Sequence, residues 1–224
     1  MDKDNLFKTT SIRPISILDA SIPLAKYHPI DLSSSNSALN TLDITNPEDC
    51  QLYIDATLVK SGGMVAYGGY LEKRNLYANA SRFSEGESRN IHLGVDFWCE
   101  QGTKVLVPVE GVVHSFQNND DIGNYGPTII LEHKTIDSTY YSLYGHLSIE
   151  SLDNIYIGKR FKAGDELALL GSPAINVNYA PHLHFQLILN LQGYIGDYPG
   201  VCSQMDLAFY KNNCPDPNLL LRLY

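Results

Sequence analysis

From Gly63 onward the chain is a succession of short runs rich in Val, Ile and Tyr, cut at close intervals by Gly, Pro and Asn. The clearest runs are Lys104 to Val109, Gly111 to Phe116, Thr128 to Glu132, Thr139 to Tyr144, Glu166 to Leu170 and His182 to Leu189. Between them stand turn signals: Glu110-Gly111, Gly123-Asn124-Tyr125-Gly126, Ala163-Gly164-Asp165 and Gly171-Ser172-Pro173. Runs of this length and composition read as strands. A parallel pair needs a crossover of a dozen or more residues, usually a helix, and no helical pattern of that length separates these runs. The fold is therefore expected to be mainly β, with a mainly antiparallel sheet.

The upstream region reads differently. The first forty or so residues mix Pro, Ser and Asn with isolated apolar residues (Ile15, Leu18, Ile22, Leu24), the pattern of an extended segment wrapped on a core. A helix is then expected near 47–61. Asn46 is a good N-cap, Pro47 suits the first helical position, Glu48 and Asp49 complement the helix dipole, and Gly62-Gly63 stops the run. Leu52, Tyr53, Ala56 and Val59 mark its expected docked face. The tail from Cys202 predicts a short helix followed by Pro215-Asp216-Pro217. Four cysteines without a CxxC pair are too few for a disulfide scaffold. Buried thiols are expected at Cys50, Cys99, Cys202 and Cys214, in preference to a Cys202–Cys214 bridge.

Charge excludes some partners. With 25 acidic against 16 basic side chains and a net charge of -9, the chain lacks the basic face that a nucleic-acid backbone demands. No run of about 18 apolar residues occurs, so no membrane span is expected. The opening stretch MDKDNLFKTTSIRPIS has no apolar segment with a small-residue cleavage site. A cytoplasmic location is the expectation from that stretch, with export by a non-classical route as the alternative.

Four of the seven histidines lie in suggestive settings: His92 in Asn90-Ile-His-Leu-Gly-Val-Asp96, His146 in Tyr144-Gly-His-Leu147, and His182 with His184 in Pro181-His-Leu-His-Phe185. Residues two apart on a strand project from one face, roughly 6.6 Å apart along the axis. Two imidazoles so placed reach one metal ion, or one ligand and its adjacent water. His92 and Asp96 would stand roughly 13 Å apart on an extended strand, too far for one ion, so the segment must bend if both are ligands. Gly94 permits the bend. Two histidines and an aspartate suit zinc and leave a fourth position for water, the pattern of a catalytic rather than a structural site. Such an ion acidifies its water and polarises a carbonyl, as amide hydrolysis requires. Extra histidines beside it can accept a proton or stabilise an oxyanion. His28, His114 and His133 have no such partners and are expected to be ordinary hydrogen-bonded residues. The 15 tyrosines are expected mainly to pack in strands rather than to line a groove.

From Arg89 to Leu187 the sequence resembles the M23 metallopeptidases, the lysostaphin-type peptidoglycan endopeptidases. The resemblance runs through Arg89-Asn-Ile-His-Leu-Gly-Val-Asp96, Gly102-Thr-Lys-Val-Leu-Val-Pro-Val109, Gly111-Val-Val113, Gly123-Asn-Tyr-Gly126, Tyr144-Gly-His-Leu147, Gly164-Asp165 and Pro181-His-Leu-His-Phe-Gln186. It implies an antiparallel β-sheet or sandwich of the duplicated-hybrid-motif type. It also implies one zinc ion held by His92, Asp96 and His184 with a bound water as fourth ligand, and His146 and His182 as catalytic residues. The implied partner is a peptide or peptidoglycan substrate. Three regions follow: an N-terminal extension over 1–88 packed on the catalytic domain, the peptidase domain over 89–195, and a C-terminal extension over 196–224.

Some features differ from the usual family pattern. Asn176-Val-Asn-Tyr-Ala precedes Pro181 where the family often has Ser-Thr-Gly, and the flanking segments are similar to a subgroup found in larger intracellular proteins. The alternatives are accordingly an intracellular zinc hydrolase acting on another substrate, and a non-catalytic binding module on the same fold. Latent family members fill the open metal position with a residue from an upstream segment. An Asn or Tyr between Gly68 and Asn79 is the candidate here, although completion of the sheet is the preferred role for that segment.

Overall fold

The computed structural model describes residues 15–74, 88–121, 123–176 and 179–224. Its centre is an eight-stranded sheet. In chain order the strands of the molecule are β1 (Tyr27–Pro29), β2 (Val65–Gly68), β3 (Ile91–His92), β4 (Val95–Trp98), β5 (Lys104–Leu106), β6 (Gly111–Asn119), β7 (Gly126–Lys134), β8 (Thr139–Gly145), β9 (Arg160–Phe161), β10 (Glu166–Leu169), β11 (His182–Ile188) and β12 (Val201–Cys202). The large sheet runs β1-β2-β4-β11-β8-β7-β6-β9, while β10 with β5 and β12 with β3 form two-stranded sheets. Every pairing is antiparallel except that of β1 with β2 at one edge. That exception has its crossover. The helix Pro47–Ser61 lies between the two parallel strands in the chain.

The helix begins and ends where the sequence places it. The Asn46 side chain accepts hydrogen bonds from the backbone N–H groups of Glu48 and Asp49, and Gly62 ends the helix in the left-handed region at φ 66°. Its docked face is not the expected one. Cys50 and Ile54 are buried, with Tyr53 and Leu58 partly so, against Ile30, Leu32, Ala66 and Trp98, whereas Leu52 and Val59 are 64% and 83% exposed. Cys50, Ile54 and Leu58 follow the i, i+4 spacing of one helical stripe, and reading the cysteine as apolar locates it.

Strand ends also differ locally. The run from Lys104 leaves its ladder after Leu106, two residues before Pro108, which has no N–H to donate. The β6–β7 hairpin is longer than its apolar run, extending to Asn119 and starting again at Gly126.

The central strand β11 is buried along its whole length. Leu183, Phe185 and Leu187 point into a large core with Val95, Phe97, Ile129, Leu131 and Tyr144. On the other face Ile188 packs with Ile130, Leu143, Tyr198, Cys202 and Cys214, so the C-terminal tail covers this side of the sheet. The tail has two short helices, Leu207–Asn213 and Asn218–Leu221. All four cysteines are free thiols, Cys99 half-buried and the others buried. Among the described residues no helix is long and apolar enough to cross a membrane.

Candidate metal centre

His182, His184 and Gln186 share the face of β11 that the tail covers beyond Ile188, and toward the N-terminal end of the strand that face opens into a groove. β11 lies between β4 and β8, with Asp96 directly opposite His184 on one side and Gly145, the residue before His146, opposite it on the other. His92 arrives from a different ladder. It closes β3, which pairs with β12, and the chain then turns through Leu93-Gly94 into β4.

Three donor atoms converge as a result. His92 Nε2 lies 2.9 Å from His184 Nδ1, and Asp96 Oδ1 lies 3.1 Å from His184 Nδ1 and 3.2 Å from His92 Nε2. Among the described residues this is the only such group of three His, Cys, Asp or Glu side chains. All three are buried. Gly94 serves the site through close approach as well as through the turn. A Cβ there would stand 2.7 Å from both His184 Cε1 and the Phe185 carbonyl oxygen. Gly94→Ala is therefore expected to push His184 off its position and lower metal affinity by at least tenfold, as measured by competition with a chelator.

The outer ring atoms fix the tautomers. His92 Nδ1 is 3.0 Å from the Gly69 carbonyl oxygen, which only accepts, so Nδ1 carries the proton and Nε2 carries a lone pair. His184 Nε2 is 2.9 Å from Gln186 Oε1. The Gln186 amide is oriented by its own nitrogen, which donates to the Pro199 carbonyl at 3.2 Å, so His184 is protonated on Nε2 and presents Nδ1 as a lone pair. Asp96 is held from behind by Arg74, whose Nη1 donates to Oδ2 at 2.6 Å. Gly69, Arg74 and Gln186 have no place in the sequence-based site. Gln186 had a signal in its alternation with His182 and His184, whereas Arg74 sits in an unremarkable Glu-Lys-Arg run.

Electrostatics keep this set ready for a cation. Burial is the main cause that pushes the His92 imidazole down to about 4, reinforced by Arg74 against the pull of Asp96. Burial opposes ionisation of Asp96, but the permanently charged Arg74 bonded to its Oδ2 outweighs it, and the carboxyl is held well below its usual range. With these tautomers two imidazole lone pairs and a carboxylate oxygen face one another. Such a triangle is repulsive unless a cation sits at its centre. Ligands 2.0–2.2 Å from one tetrahedral ion stand roughly 3.3–3.6 Å apart, close to the observed spacing. The donor set fits a metal ion.

The other two histidines stand next to each other beside this triangle. Their ring centroids are 4.1 Å apart. His182 donates from Nδ1 to the Ala180 carbonyl at 2.7 Å and stacks on Trp98, leaving Nε2 as the acceptor. His146 has left-handed backbone at φ 62°, held there by its N–H on the Tyr125 carbonyl and its own carbonyl under Gly171 N–H and the Asn176 amide. A non-glycine residue in that region stores strain, a common feature of functional positions. Burial lowers the pKa of both rings, that of His146 well below the ordinary value with His182 and His184 adding to the effect.

All five residues line one open groove, whose walls include Tyr125, Tyr179, Tyr194 and Tyr198. Four tyrosines at the groove is more than the sequence suggests, although most of the others do pack. His133, bonded to the Glu110 carbonyl and to Ser142, and His114, bonded to Ser115, have the ordinary roles expected of them. Tyr70 from the upstream segment turns away from the groove, its hydroxyl donating to the Cys214 carbonyl at 2.8 Å, and Asn75, Tyr77 and Asn79 lie outside the described residues.

Residues 90–194 match the family model "Peptidase family M23". Over this stretch the chain is similar to the M23 peptidases. An uncharacterized metalloprotease of Haemophilus influenzae is 35% identical to this chain over 99 residues, 44% of this chain and 19% of that protein. One from Buchnera aphidicola is 30% identical over 113 residues, 50% of this chain and 27% of its own length. The chain thus spans about a fifth to a quarter of the length of these curated relatives. Among solved structures, the catalytic domain of the antimicrobial peptidase lysostaphin from Staphylococcus simulans is similar at 24% identity. That likeness covers 65% of this chain and 88% of that one, with a TM-score of 0.39. The matched stretch carries the whole His and Asp constellation, while Gly69 and Arg74 come from before it and Pro199 from after it.

Proposed function

We propose that the chain is a zinc-dependent endopeptidase that cleaves peptide bonds of the kind that cross-link peptidoglycan, with His92, Asp96 and His184 as metal ligands and His146 and His182 as catalytic residues. The observation that carries this reading is the convergence of two tautomer-locked imidazoles and one carboxylate oxygen within 2.9–3.2 Å, beside a second pair of buried histidines. Two nitrogens and one oxygen, with one side of the triangle open to the groove, suit catalytic zinc. When bound, the ion would polarise the scissile carbonyl and acidify a water in the groove.

The chain's own residues do the rest. His182 turns its Nε2 lone pair to the groove because Nδ1 is engaged by Ala180, so it is built to take the proton of the attacking water. His146 Nδ1 is buried without a hydrogen-bond partner among the described residues, which suits a group that meets the oxyanion or the leaving amine only during the reaction. The His182 ring, its pKa lowered by burial, is neutral at pH 7, as a proton acceptor must be. The aromatic walls exclude water around an extended peptide.

The test is digestion of purified sacculi by the full chain, beside a panel of soluble peptide, amide and ester substrates, with and without chelator. Release of soluble fragments that stops on chelation and returns with zinc is expected. Hydrolysis confined to soluble peptides would overturn the substrate class, and no hydrolysis of any substrate would overturn the enzyme.

A further inference from the structure

We propose that Arg74 is a positioning residue which holds Asp96 as a one-oxygen metal ligand, so that the segment preceding the matched stretch completes its metal site. This rests on the ligand assignment above. Arg74 is 1% exposed, a rare state for an arginine and tolerated only where its charge is met. It is met twice. Nη1 donates to Asp96 Oδ2 at 2.6 Å and Nε to Glu72 Oε2 at 2.5 Å, while the guanidinium stands 5.4 Å from the Trp98 ring centroid. Glu72 is fixed in turn, its Oε1 accepting the Leu32 N–H at 3.0 Å.

The segment is bonded to the strand that carries His92. Leu71 N–H donates to the His92 carbonyl, His92 N–H to the Glu72 carbonyl, and Arg74 N–H to the Asn90 carbonyl. Gly69, at φ 105°, supplies the carbonyl that sets the His92 tautomer, and a Cβ there would stand 2.0 Å from Arg74 Nη2 and 2.9 Å from His92 Nδ1. One short stretch thus controls both ligands of the His92–Asp96 pair.

The chemistry follows from which oxygen is taken. A carboxylate with both oxygens free can grip an ion through one or both, and its angle to the ion is then loosely set. With Oδ2 committed to Arg74, only Oδ1 faces the histidines. The oxygen left to the histidines is a single anionic donor, which attracts a divalent ion. Arginine suits this place because its planar fork can serve two carboxylates at once, which a lysine ammonium does with poorer direction.

Zinc affinity of the full chain, measured by chelator competition, and the visible spectrum of the Co²⁺-loaded protein test the assignment. Arg74→Met is expected to weaken zinc about 100-fold and to change the Co²⁺ spectrum as Oδ2 becomes free to coordinate. Arg74→Lys keeps the buried cation and hence the fold. It should weaken zinc about tenfold and keep a spectrum close to that of the wild type. A purely structural role would lower the melting temperature without altering the spectrum of the loaded protein. Wild-type affinity in Arg74→Lys, or a wild-type spectrum in a folded Arg74→Met, overturns the proposal. If Arg74→Met does not fold, the affinity of Arg74→Lys decides. A wild-type chain that takes up no zinc overturns the ligand assignment, and the role of Arg74 with it.

Discussion

His184→Ala is expected to leave the protein without stoichiometric zinc and to bring peptide hydrolysis to background. The imidazole sits at the centre of the constellation, 2.9 Å from His92 Nε2 and 3.1 Å from Asp96 Oδ1, and its removal leaves two donors where a catalytic zinc needs three. Gln186 does not take its place, because its Oε1 bonds the far nitrogen of the ring, Nε2, and so stands a ring's width behind the donor atom. The fold should survive, because Leu183, Phe185 and Leu187 on the opposite face of β11 supply its apolar packing. Elemental analysis of the folded variant is the measurement. One equivalent of bound zinc in His184→Ala would remove His184 from the ligand set.

Substitution of His146 is expected to separate metal binding from rate. His146→Ala should bind zinc as the wild type does while kcat falls by about 10²–10⁴, the usual worth of one positioned acid or base. Alanine in left-handed backbone costs roughly 1–2 kcal/mol, so His146→Asn, which tolerates φ 62° better, separates loss of the imidazole from loss of the loop. The pH dependence follows from burial. A proton acceptor works only when unprotonated, and burial holds the pKa of His182, the ring placed to take the water's proton, below the ordinary histidine value, so it stays unprotonated as pH falls through 6.5. The acid limb of kcat in the wild type is therefore expected below pH 6.5. Loss of zinc in both variants would contradict the role of His146, and an acid limb at or above 6.5 would contradict that of His182.

Legibility in the sequence followed the range of each interaction. Strand positions, the cap at Asn46 and the stop at Gly62 depend on neighbours a few residues away, and local pattern carried them. His182 and His184 were readable as a same-face pair because β periodicity is fixed at two. Their meeting with His92 and Asp96 is a matter of strand order, and no spacing rule brings residues some ninety positions apart together. The resemblance to M23 peptidases bridged that gap within the matched domain and stopped at its edges. Beyond them, Arg74 reads as one more charged residue because burial, which gives it meaning, comes from Glu72, Trp98 and Asp96 folded around it. The helix face differs for a related reason: the stripe through Leu52 and Val59 leaves out Cys50, which packs as an apolar side chain.

The pairing of β2 with β4 bears on where the chain can be divided. β4 carries Asp96 and is an inner strand only because Val65–Gly68 lies along its outer side. A fragment begun at the boundary of the family match would turn that strand into a bare rim, its N–H and C=O groups open to the next molecule. Such a fragment would be drawn to join its own copies at the aspartate-bearing edge, and the chemistry would be lost to self-association before any ligand was touched.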